Sequence, residues 1–322
     1  MVNTVLILTN EDDPDADIMT QLLIRRGVNV VRFDPGDFPQ GSTISMRGNE
    51  FRWQYILSAQ EHVVDLQQVS SVWLRRPTKW QPPESYELGI GNFIGAERNH
   101  AIEGLWEILP ALWVNHPTLD RLAGLKPYQL QIASRLGFVI PRTLITNDPS
   151  EVRDFYNECG GNTIYKPLSA SDFVHLGRLI YTSPVSLSHL ERVNQVSAAP
   201  CLFQEYIPKS FEVRTTVVGK RIFSAAIYSQ QFENTKHDWR RETDLSLKYE
   251  PYCLPSDIES KILELTSELN LAYGAIDFVV TPSNEHVFLE INPGGQFGFV
   301  EQRTGLPIFA ALADFLSSGG AE

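Results

Sequence analysis

Residues 273–305 read YGAIDFVVTPSNEHVFLEINPGGQFGFVEQRTG, and no other segment is as informative about this chain. Two apolar runs, 275–280 and 286–291, flank a Pro-Ser-Asn turn, which predicts a β-hairpin. Because side chains alternate along a strand, Glu290 and Asn292 are predicted to share one face. The same alternation sends three apolar residues to the opposite face: Val287, Leu289 and Ile291.

The predicted hairpin brings two carboxylates and an amide together. If the turn is centred on residues 283–284, Asp277 lies opposite Glu290, on the face that also carries Asn292. Bare charge on apolar strands is costly, and a hard cation would remove that cost. An oxygen-only ligand set suits Mg²⁺ that bridges nucleotide phosphates. The alternative is that these residues form the polar solvent face of an ordinary hairpin.

The composition predicts a soluble globular protein of more than one domain. The 322 residues are 43% hydrophobic and 20% charged, and this length suits two or three domains. A net charge of −12 argues against a general binder of nucleic acids or anionic membranes, since both need basic surface. The three cysteines are far apart and form no C-x-x-C pair, and the N-terminus does not read as a signal peptide. A cytoplasmic location is therefore expected.

The N-terminal part of the chain predicts a parallel α/β sheet. A strand, a helix and a second strand follow one another within residues 5–33 as a β-α-β unit. A further strand at 70–74 delivers Arg75 and Arg76 at its end, and a helix is predicted over 97–112. At least one of the two arginines is predicted to face a cleft and contact substrate.

The chain is predicted to divide into three domains. The first spans residues 1–118, the second 119–203, and the third 204–322 with the hairpin. A polar loop at 230–249 within the third domain has little periodicity and is long enough to suggest a function.

Beyond these patterns, the chain resembles the ATP-grasp superfamily of carboxylate–amine ligases. The resemblance runs from residue 113 to the C-terminus through these motifs: Asn115-His-Pro117, Lys126, Ile164-Tyr-Lys-Pro167, Gln204-Glu-Tyr-Ile207, Phe211-Glu-Val-Arg214, Asp277 and Glu290-Ile-Asn292. More narrowly, the chain resembles the peptide-maturing ligases that make microviridins and other graspetides, through further runs: Leu74-Arg-Arg-Pro77, Leu125-Lys-Pro-Tyr-Gln129, His237-Asp-Trp-Arg240 and Phe288-Leu-Glu-Ile-Asn-Pro-Gly-Gly-Gln296. The resemblance implies a three-domain α/β ATP-grasp fold with a Rossmann-like N-terminal pre-ATP-grasp domain.

The resemblance also implies ATP and Mg²⁺ as cofactors. Either Lys126 or Lys166 alone would be interpreted as a solvated surface residue. Together with the other motifs, the two lysines are assigned to the phosphates, for which their ammonium charge is suited. Residues 204–207 form the expected hinge beside adenine, with these members as binding candidates, the last two through their backbone: Gln204, Glu205 and Ile207.

Four polar residues of the third domain complete the implied site. Glu212 is assigned to the ribose hydroxyls by its family position. Arg214, two residues further on the same strand face, is assigned to the γ-phosphate or an acyl-phosphate, with a cross-strand ion pair as the alternative. Asp238 and Arg240 form a D-x-R element that in graspetide ligases holds a peptide carboxylate, and a solvated charged loop is the alternative. Arg214 and Arg240 are also expected to stabilise oxyanion charge. A lid is predicted at 168–173, although it lacks the glycine that many relatives have.

The expected activity is an ATP-dependent ligation within a ribosomal precursor peptide. A Glu or Asp carboxylate is phosphorylated, and a Thr or Ser hydroxyl or a Lys amine of the same peptide then forms the ester or amide. The partner is a peptide with a leader and a core, and a homodimer is usual for relatives. The alternative is a ligase that joins a free amino acid or small amine to an acid, as glutathione synthetase-like or ribosomal-protein-modifying enzymes do. A nucleotide-binding sensor or scaffold is a third interpretation.

Overall fold

The structure is a computed structural model, and it describes residues 3–59, 62–169, 181–241 and 247–320. The first part of the chain contains β1 (Thr4–Thr9), α1 (Pro14–Arg25), β2 (Asn29–Phe33), β3 (Ser42–Gly48), β4 (Trp53–Ala59), β5 (His62–Asp65), β6 (Val69–Arg76), α2 (Leu88–Ile108) and β7 (Leu112–Val114). The middle part contains α3 (Pro117–Ala123), α4 (Lys126–Arg135), β8 (Thr143–Thr146), α5 (Pro149–Glu158), β9 (Thr163–Lys166), β10 (Ser183–Pro184), α6 (Leu187–Leu190) and β11 (Cys201–Glu205). The last part contains β12 (Phe211–Val218), β13 (Arg221–Ile227), β14 (Tyr249–Pro251), α7 (Ser256–Glu268), β15 (Tyr273–Val280), β16 (His286–Asn292), α8 (Gly298–Thr304) and α9 (Ile308–Ser317).

A parallel sheet forms the centre of the first part. Its strand order is β2-β1-β6-β7, and every residue of β1 is buried. The Asp13 carboxylate caps α1 by accepting a hydrogen bond from the Ala16 N–H, and Met19 and Leu23 of this helix pack against the sheet. A separate antiparallel sheet consists of β3, β4 and β5. The predicted β-α-β start is therefore confirmed.

Helix α2 does not lie where the sequence placed it. It runs from Leu88 to Ile108 and not over 97–112. The glycines of its first turn obscured its start, because glycine is a poor helix former. Its end is explained by Pro110, because the residue before a proline avoids the helical region, and Leu109 is extended at φ −73°, ψ 118°. The residues after this proline form β7 instead.

The middle sheet is antiparallel, with the order β10-β9-β11-β8. One of its faces, which carries Tyr165 and Phe203, packs against α5. Because side chains alternate, Lys166 and Gln204 lie on the other face. Of the lid predicted at 168–173, all but the first two residues lie outside the described part of the chain.

The last sheet has the order β14-β13-β12-β15-β16, and its neighbouring strands are antiparallel. One face of this sheet is apolar and packs against α7 and α4 through residues that include Val213, Val217, Ile276 and Phe278. The opposite face carries Glu212 and Arg214 of β12 together with Asp277 of β15. The polar residues of the predicted site therefore stand on the face that the hydrophobic core leaves free.

The hairpin β15–β16 contains a bulge that the sequence did not reveal. Asp277 pairs with Glu290, as predicted, but the register shifts at the next residue, and Phe278 pairs with Phe288. The extra residue, Leu289, interrupts the alternation, so that Phe288 and Ile291 both enter the core. The prediction that Val287, Leu289 and Ile291 share one face is therefore wrong.

Packing crosses both of the predicted domain boundaries, which remain a prediction. Helix α4, predicted to belong to the central domain, packs against the last sheet through Leu130 and Ala133. Helix α9 at the C-terminus packs through Leu312 and Leu316 into the core that contains Val5 of β1. Within the described residues, no helix combines the length and apolar character needed to cross a membrane.

Candidate active site

The free face of the last sheet holds the three residues predicted to bind a metal. Arg214 Nη1 donates to Asp277 Oδ2 at 2.8 Å between adjacent strands. Asn292 Nδ2 donates to Asp277 Oδ2 at 3.2 Å and to Glu290 Oε1 at 3.3 Å. The two carboxylates and the amide therefore lie together. The metal role predicted for Asn292 uses the other amide atom, Oδ1.

Two lysines from other elements approach the same carboxylate. Lys126, the first residue of α4, forms an ion pair with Glu290. Lys166, the last residue of β9, interacts electrostatically with Glu290 from the free face of the middle sheet. The structure thus brings together six predicted residues, which we call the charged cluster: Lys126, Lys166, Arg214, Asp277, Glu290 and Asn292.

Burial and neighbouring charge act differently on the two acids of the charged cluster. Burial raises the pKa of Asp277, and the Arg214 guanidinium opposes this shift only in part. Burial also acts on Glu290, but the ammonium groups of Lys126 and Lys166 hold the pKa of Glu290 well below its usual range. Burial lowers the pKa of Lys166. Among the described residues no group of three Asp, Glu, His or Cys side chains is placed to hold a metal. The candidate metal ligands of the charged cluster are two carboxylates and an amide.

The predicted adenine hinge lies at the end of β11. The buried side chain of Gln204 donates through Nε2 to Thr143 Oγ1 at 3.0 Å, whereas its Oε1 has no partner among the described residues. The Glu205 side chain pairs with Arg142 at 3.1 Å. The Glu205 backbone N–H donates to the Arg142 carbonyl at 3.0 Å, so its backbone assignment to a nucleotide rests on the Glu205 carbonyl. The backbone roles of Glu205 and Ile207 remain a prediction.

Glu212 is held in place by two residues that the sequence analysis did not single out. Its Oε1 accepts hydrogen bonds from Lys209 Nζ at 2.6 Å and from Ser229 Oγ at 2.8 Å. Burial raises the pKa of Glu212, and Lys209 opposes that shift. No spacing in the sequence predicts this pair, because i, i+3 neighbours meet on helices and Glu212 lies on a strand.

Asp238 and Arg240 form a bidentate pair. Arg240 Nε and Nη2 donate to Asp238 Oδ1 and Oδ2 at 2.8 and 2.6 Å, and the Arg240 backbone N–H donates to Oδ1 at 3.1 Å. The hydrogen bond to Asp238 raises the pKa of Arg240, and Glu290 and Asp277 add to this shift, so the guanidinium lies within the field of the charged cluster. Asp238 is buried while half of the Arg240 side chain is exposed (50%). The solvated loop weighed as an alternative does not describe Asp238.

The two strand-end arginines differ in their surroundings. Arg75 is buried, donates to Asp13 Oδ2 at 3.2 Å and to Asp15 Oδ2 at 2.6 Å, and lies 5.7 Å from the ring centroid of Phe297. Arg76 is exposed. The guanidinium of Arg75 therefore joins the first sheet to the segment after β16. A contact with substrate remains a prediction for both arginines.

Other residues to which the sequence gave no role support the charged cluster. Gln129 Oε1 accepts a hydrogen bond from the Ile291 N–H at 2.7 Å, and its Nε2 donates to the Ile291 carbonyl at 3.1 Å, which fixes α4 against β16. A Cβ on Gly295 would lie 2.8 Å from Arg214 Nη2, so only glycine fits this close approach. Two features of the sequence could have indicated these supporting roles: the amide of Gln129 at a buried helix position, and the Pro-Gly-Gly run that contains Gly295.

Two sheets and helix α4, which bring lysines, an arginine and carboxylates into one cluster beside a parallel α/β domain, define the class of ATP-grasp ligases. The family model of the MvdD pre-ATP-grasp domain matches residues 4–121. No match was found among the curated proteins.

Solved structures place the chain more narrowly. A RiPP-associated ATP-grasp ligase of Chryseobacterium gregarium, in complex with ADP and a leader and core peptide, is 31% identical, with 100% of this chain and 98% of that chain covered and a TM-score of 0.92. Macrocyclase MdnC of Microcystis aeruginosa MRC, bound with the precursor peptide MdnA, is 32% identical over 98% of this chain and 100% of its own, with a TM-score of 0.88. Macrocyclase MdnB of the same strain is 31% identical over 98% and 99%, with a TM-score of 0.83. The chain belongs to this family of graspetide-type ATP-grasp ligases, as its motifs predicted.

Proposed function

We propose that this ligase cyclises a ribosomal precursor peptide through side-chain ester or amide bonds. The observation that carries the proposal is the charged cluster, in which lysines from two elements face carboxylates beside Arg214. The Asp238–Arg240 pair beside it supports a carboxylate-bearing substrate. Relatives with nearly one third of their residues in common are bound to a precursor peptide or to a leader and core peptide.

The residues present fit ATP and Mg²⁺. Gln204 Oε1 and Arg214 Nε are buried and have no partner among the described residues. Gln204 Oε1 can therefore accept a hydrogen bond from a bound nucleotide, and Arg214 Nε can donate one to it. Asp277, Glu290 and Asn292 would hold the ion, which would neutralise phosphate charge. Lys126 and Lys166 would bind phosphates, while Glu212 and the hinge backbone would bind the nucleoside.

Catalysis by this arrangement depends on positioning and charge. ATP, when bound, supplies the γ-phosphoryl group that converts a peptide carboxylate into an acyl-phosphate, from which a hydroxyl or amine of the same peptide displaces inorganic phosphate. Arg240 holds the peptide carboxylate, and the two hydrogen bonds that its Nε and Nη2 donate to Asp238 fix the plane of the guanidinium. Arg214 stands on the strand beside Asp277 and stabilises the oxyanion that develops during acyl transfer.

We further propose that the enzyme works in the cytoplasm as a homodimer. The described cysteines are all free thiols, as expected in a reducing compartment. Exposed apolar side chains on the first part of the chain supply a surface for a second copy, among them Phe51 (86% exposed), Leu88 and Phe93. Sedimentation at several protein concentrations tests the dimer.

The proposed function is tested with the peptide encoded by a short reading frame beside the gene. Incubation of that peptide with enzyme, ATP and Mg²⁺ is expected to yield ADP and to remove the mass of one water for each bond formed. If ADP appears only with free amino acids, the enzyme is the small-substrate ligase considered as the alternative. If no acceptor yields ADP, the proposed function is wrong.

A further inference from the structure

The loop that follows β13 is fastened to the segment at β10. Asp238 Oδ2 accepts a hydrogen bond from the Thr182 N–H at 3.2 Å. Arg241 Nη2 donates to the Thr182 carbonyl at 3.2 Å and to Ser183 Oγ at 3.1 Å. The Arg241 guanidinium also lies 5.1 Å from the ring centroid of Tyr181. We call these five residues the clasp.

The clasp joins β9, which carries Lys166, to the Asp238–Arg240 pair. Strand β10 pairs with β9, in which Ser183 stands opposite Tyr165, and Lys166 is the next residue. On the other side of the clasp, Asp238 binds Arg240 with both carboxylate oxygens. A short series of hydrogen bonds therefore connects Arg240, which is assigned to the peptide carboxylate, with β9. That strand ends in Lys166, which is assigned to phosphate.

The same loop is tied at its other end to the ribose candidate. Ser229 Oγ donates to Glu212 Oε1 at 2.8 Å, and Thr235 Oγ1 donates to the Ser229 carbonyl at 2.6 Å. Gln230 Nε2 donates to the Lys236 carbonyl at 3.0 Å. The loop is thus a folded unit that contacts the nucleotide candidates at one end and the clasp at the other.

We propose that Arg241 is a positioning residue that couples nucleotide binding to the placement of the Asp238–Arg240 pair. This inference rests on the proposed function. Phosphates that bind Lys166 fix β9 and β10, and the clasp transmits that placement to Asp238. Removing Arg241 leaves the bidentate pair intact but takes away two of the hydrogen bonds between the loop and β10. Because coupling is reciprocal, a bound peptide carboxylate also favours the nucleotide.

Hydrogen exchange of the full chain, with ADP and Mg²⁺ as the only ligands, tests the coupling. In the wild type, ligand is expected to slow exchange both at 204–212 and at 234–241, each by on the order of 10-fold. Arg241→Ala is expected to keep the slowing at 204–212 and to lose most of it at 234–241, because only the Asp238–Thr182 hydrogen bond of the clasp remains. Ser183→Ala removes one of the two acceptors of the Arg241 guanidinium and is expected to lose part of the slowing at 234–241. The control is Arg221→Ala, which removes an exposed pair with Asp314 and is expected to behave as the wild type.

The outcomes separate this inference from the function on which it rests. Equal slowing at 234–241 in the wild type and in Arg241→Ala overturns the coupling, and so does a wild type that responds only at 204–212. No slowing at 204–212 in the wild type contradicts nucleotide binding, and with it both proposals. If Arg241→Ala fails to fold, Ser183→Ala decides the question, and an unchanged response at 234–241 in that variant also overturns the coupling.

Discussion

Arg214 and Asp277 stand opposite each other on β12 and β15, with 2.8 Å between Nη1 and Oδ2. Only 7% and 14% of the two side chains are exposed. A buried ion pair stabilises a fold only when additional hydrogen bonds satisfy the remaining donors and acceptors. Arg214 Nε has no partner among the described residues. A pair left incomplete in this way serves ligand binding better than it serves stability.

Glu290→Gln is expected to abolish turnover and to preserve the fold. The substitution keeps the size of the side chain but removes the negative charge that faces Lys126 and Lys166. The proposed metal then loses a carboxylate ligand. We expect a loss of on the order of 100-fold or more in the rate of ADP formation. The rate is measured with peptide and saturating ATP, and near-UV circular dichroism reports the fold.

Glu268→Gln is the matched control, because Glu268 is paired with Arg135 at the surface. Its activity should equal that of the wild type, since exposed pairs contribute little. Full activity of Glu290→Gln would remove the metal assignment.

Arg240→Ala is expected to separate ATP hydrolysis from cyclisation. Without the guanidinium, the peptide carboxylate is not held, whereas the residues assigned to the nucleotide are unchanged. The variant should retain slow ATPase activity and form no rings, which mass spectrometry of the peptide and an ADP assay measure together. Arg135→Ala provides a surface control. Unchanged ring formation in Arg240→Ala would exclude this residue as the carboxylate clamp.

Asp120 on α3 is expected to make stability depend on pH. Burial raises the pKa of Asp120 from 3.8 to about 6. The native state then holds a proton that the unfolded chain releases, so the free energy of unfolding falls as pH rises from about 4 to about 6 and then levels off. Asp120→Asn cannot ionise, and it should be more stable than the wild type by about 3 kcal/mol near pH 7.5. Near pH 3.5 the two should be alike.

Urea unfolding at both pH values measures the effect of Asp120→Asn. Asp154→Asn on α5, an exposed position, is the control. A wild type and an Asp120→Asn variant that differ equally at both pH values would show that ionisation of this carboxyl is not the cause.

The pairing of charged residues along strands was predictable from the sequence. Asp277 and Glu290 were placed opposite each other because apolar runs and a turn fix the register of a hairpin. The bulge at Leu289 was not predictable, because a local pattern of apolar residues is compatible with either face. The extent of α2 was missed at its start for a similar reason, since glycines in a first turn resemble a loop.

Contacts between distant segments could not be predicted from the sequence. Neither the partnership of Arg241 with Thr182 and Ser183 nor that of Gln129 with Ile291 has a periodicity or spacing that would predict it. Arg75 was expected at a strand end, where it lies, but its engagement by Asp13 and Asp15 depends on how α1 packs over the sheet. Motifs identified the members of the charged cluster, while the packing that orients them required the structure.

Asn115 is the clearest case of such a contact, and it leads to a prediction about stability. This buried residue follows β7, and its Oδ1 accepts hydrogen bonds from the N–H groups of Ala272 and Tyr273 at 2.9 and 3.0 Å. Its Nδ2 donates to the carbonyls of Tyr273 and Pro293 at 2.8 and 3.0 Å. One side chain thus holds both the start of β15 and the turn that follows Asn292.

Asn115→Ala is expected to lower the free energy of unfolding by about 3–5 kcal/mol, because buried backbone groups then lose their partners. Urea unfolding measures the change, with Asn157→Ala on the exposed face of α5 as a control that should be neutral or slightly stabilising. A loss below about 1 kcal/mol would mean that water replaces the amide at this position. Because Pro293 and Gly294 directly follow Asn292, the folded fraction of Asn115→Ala should also bind ADP and Mg²⁺ more weakly than the wild type, whereas Asn157→Ala should not.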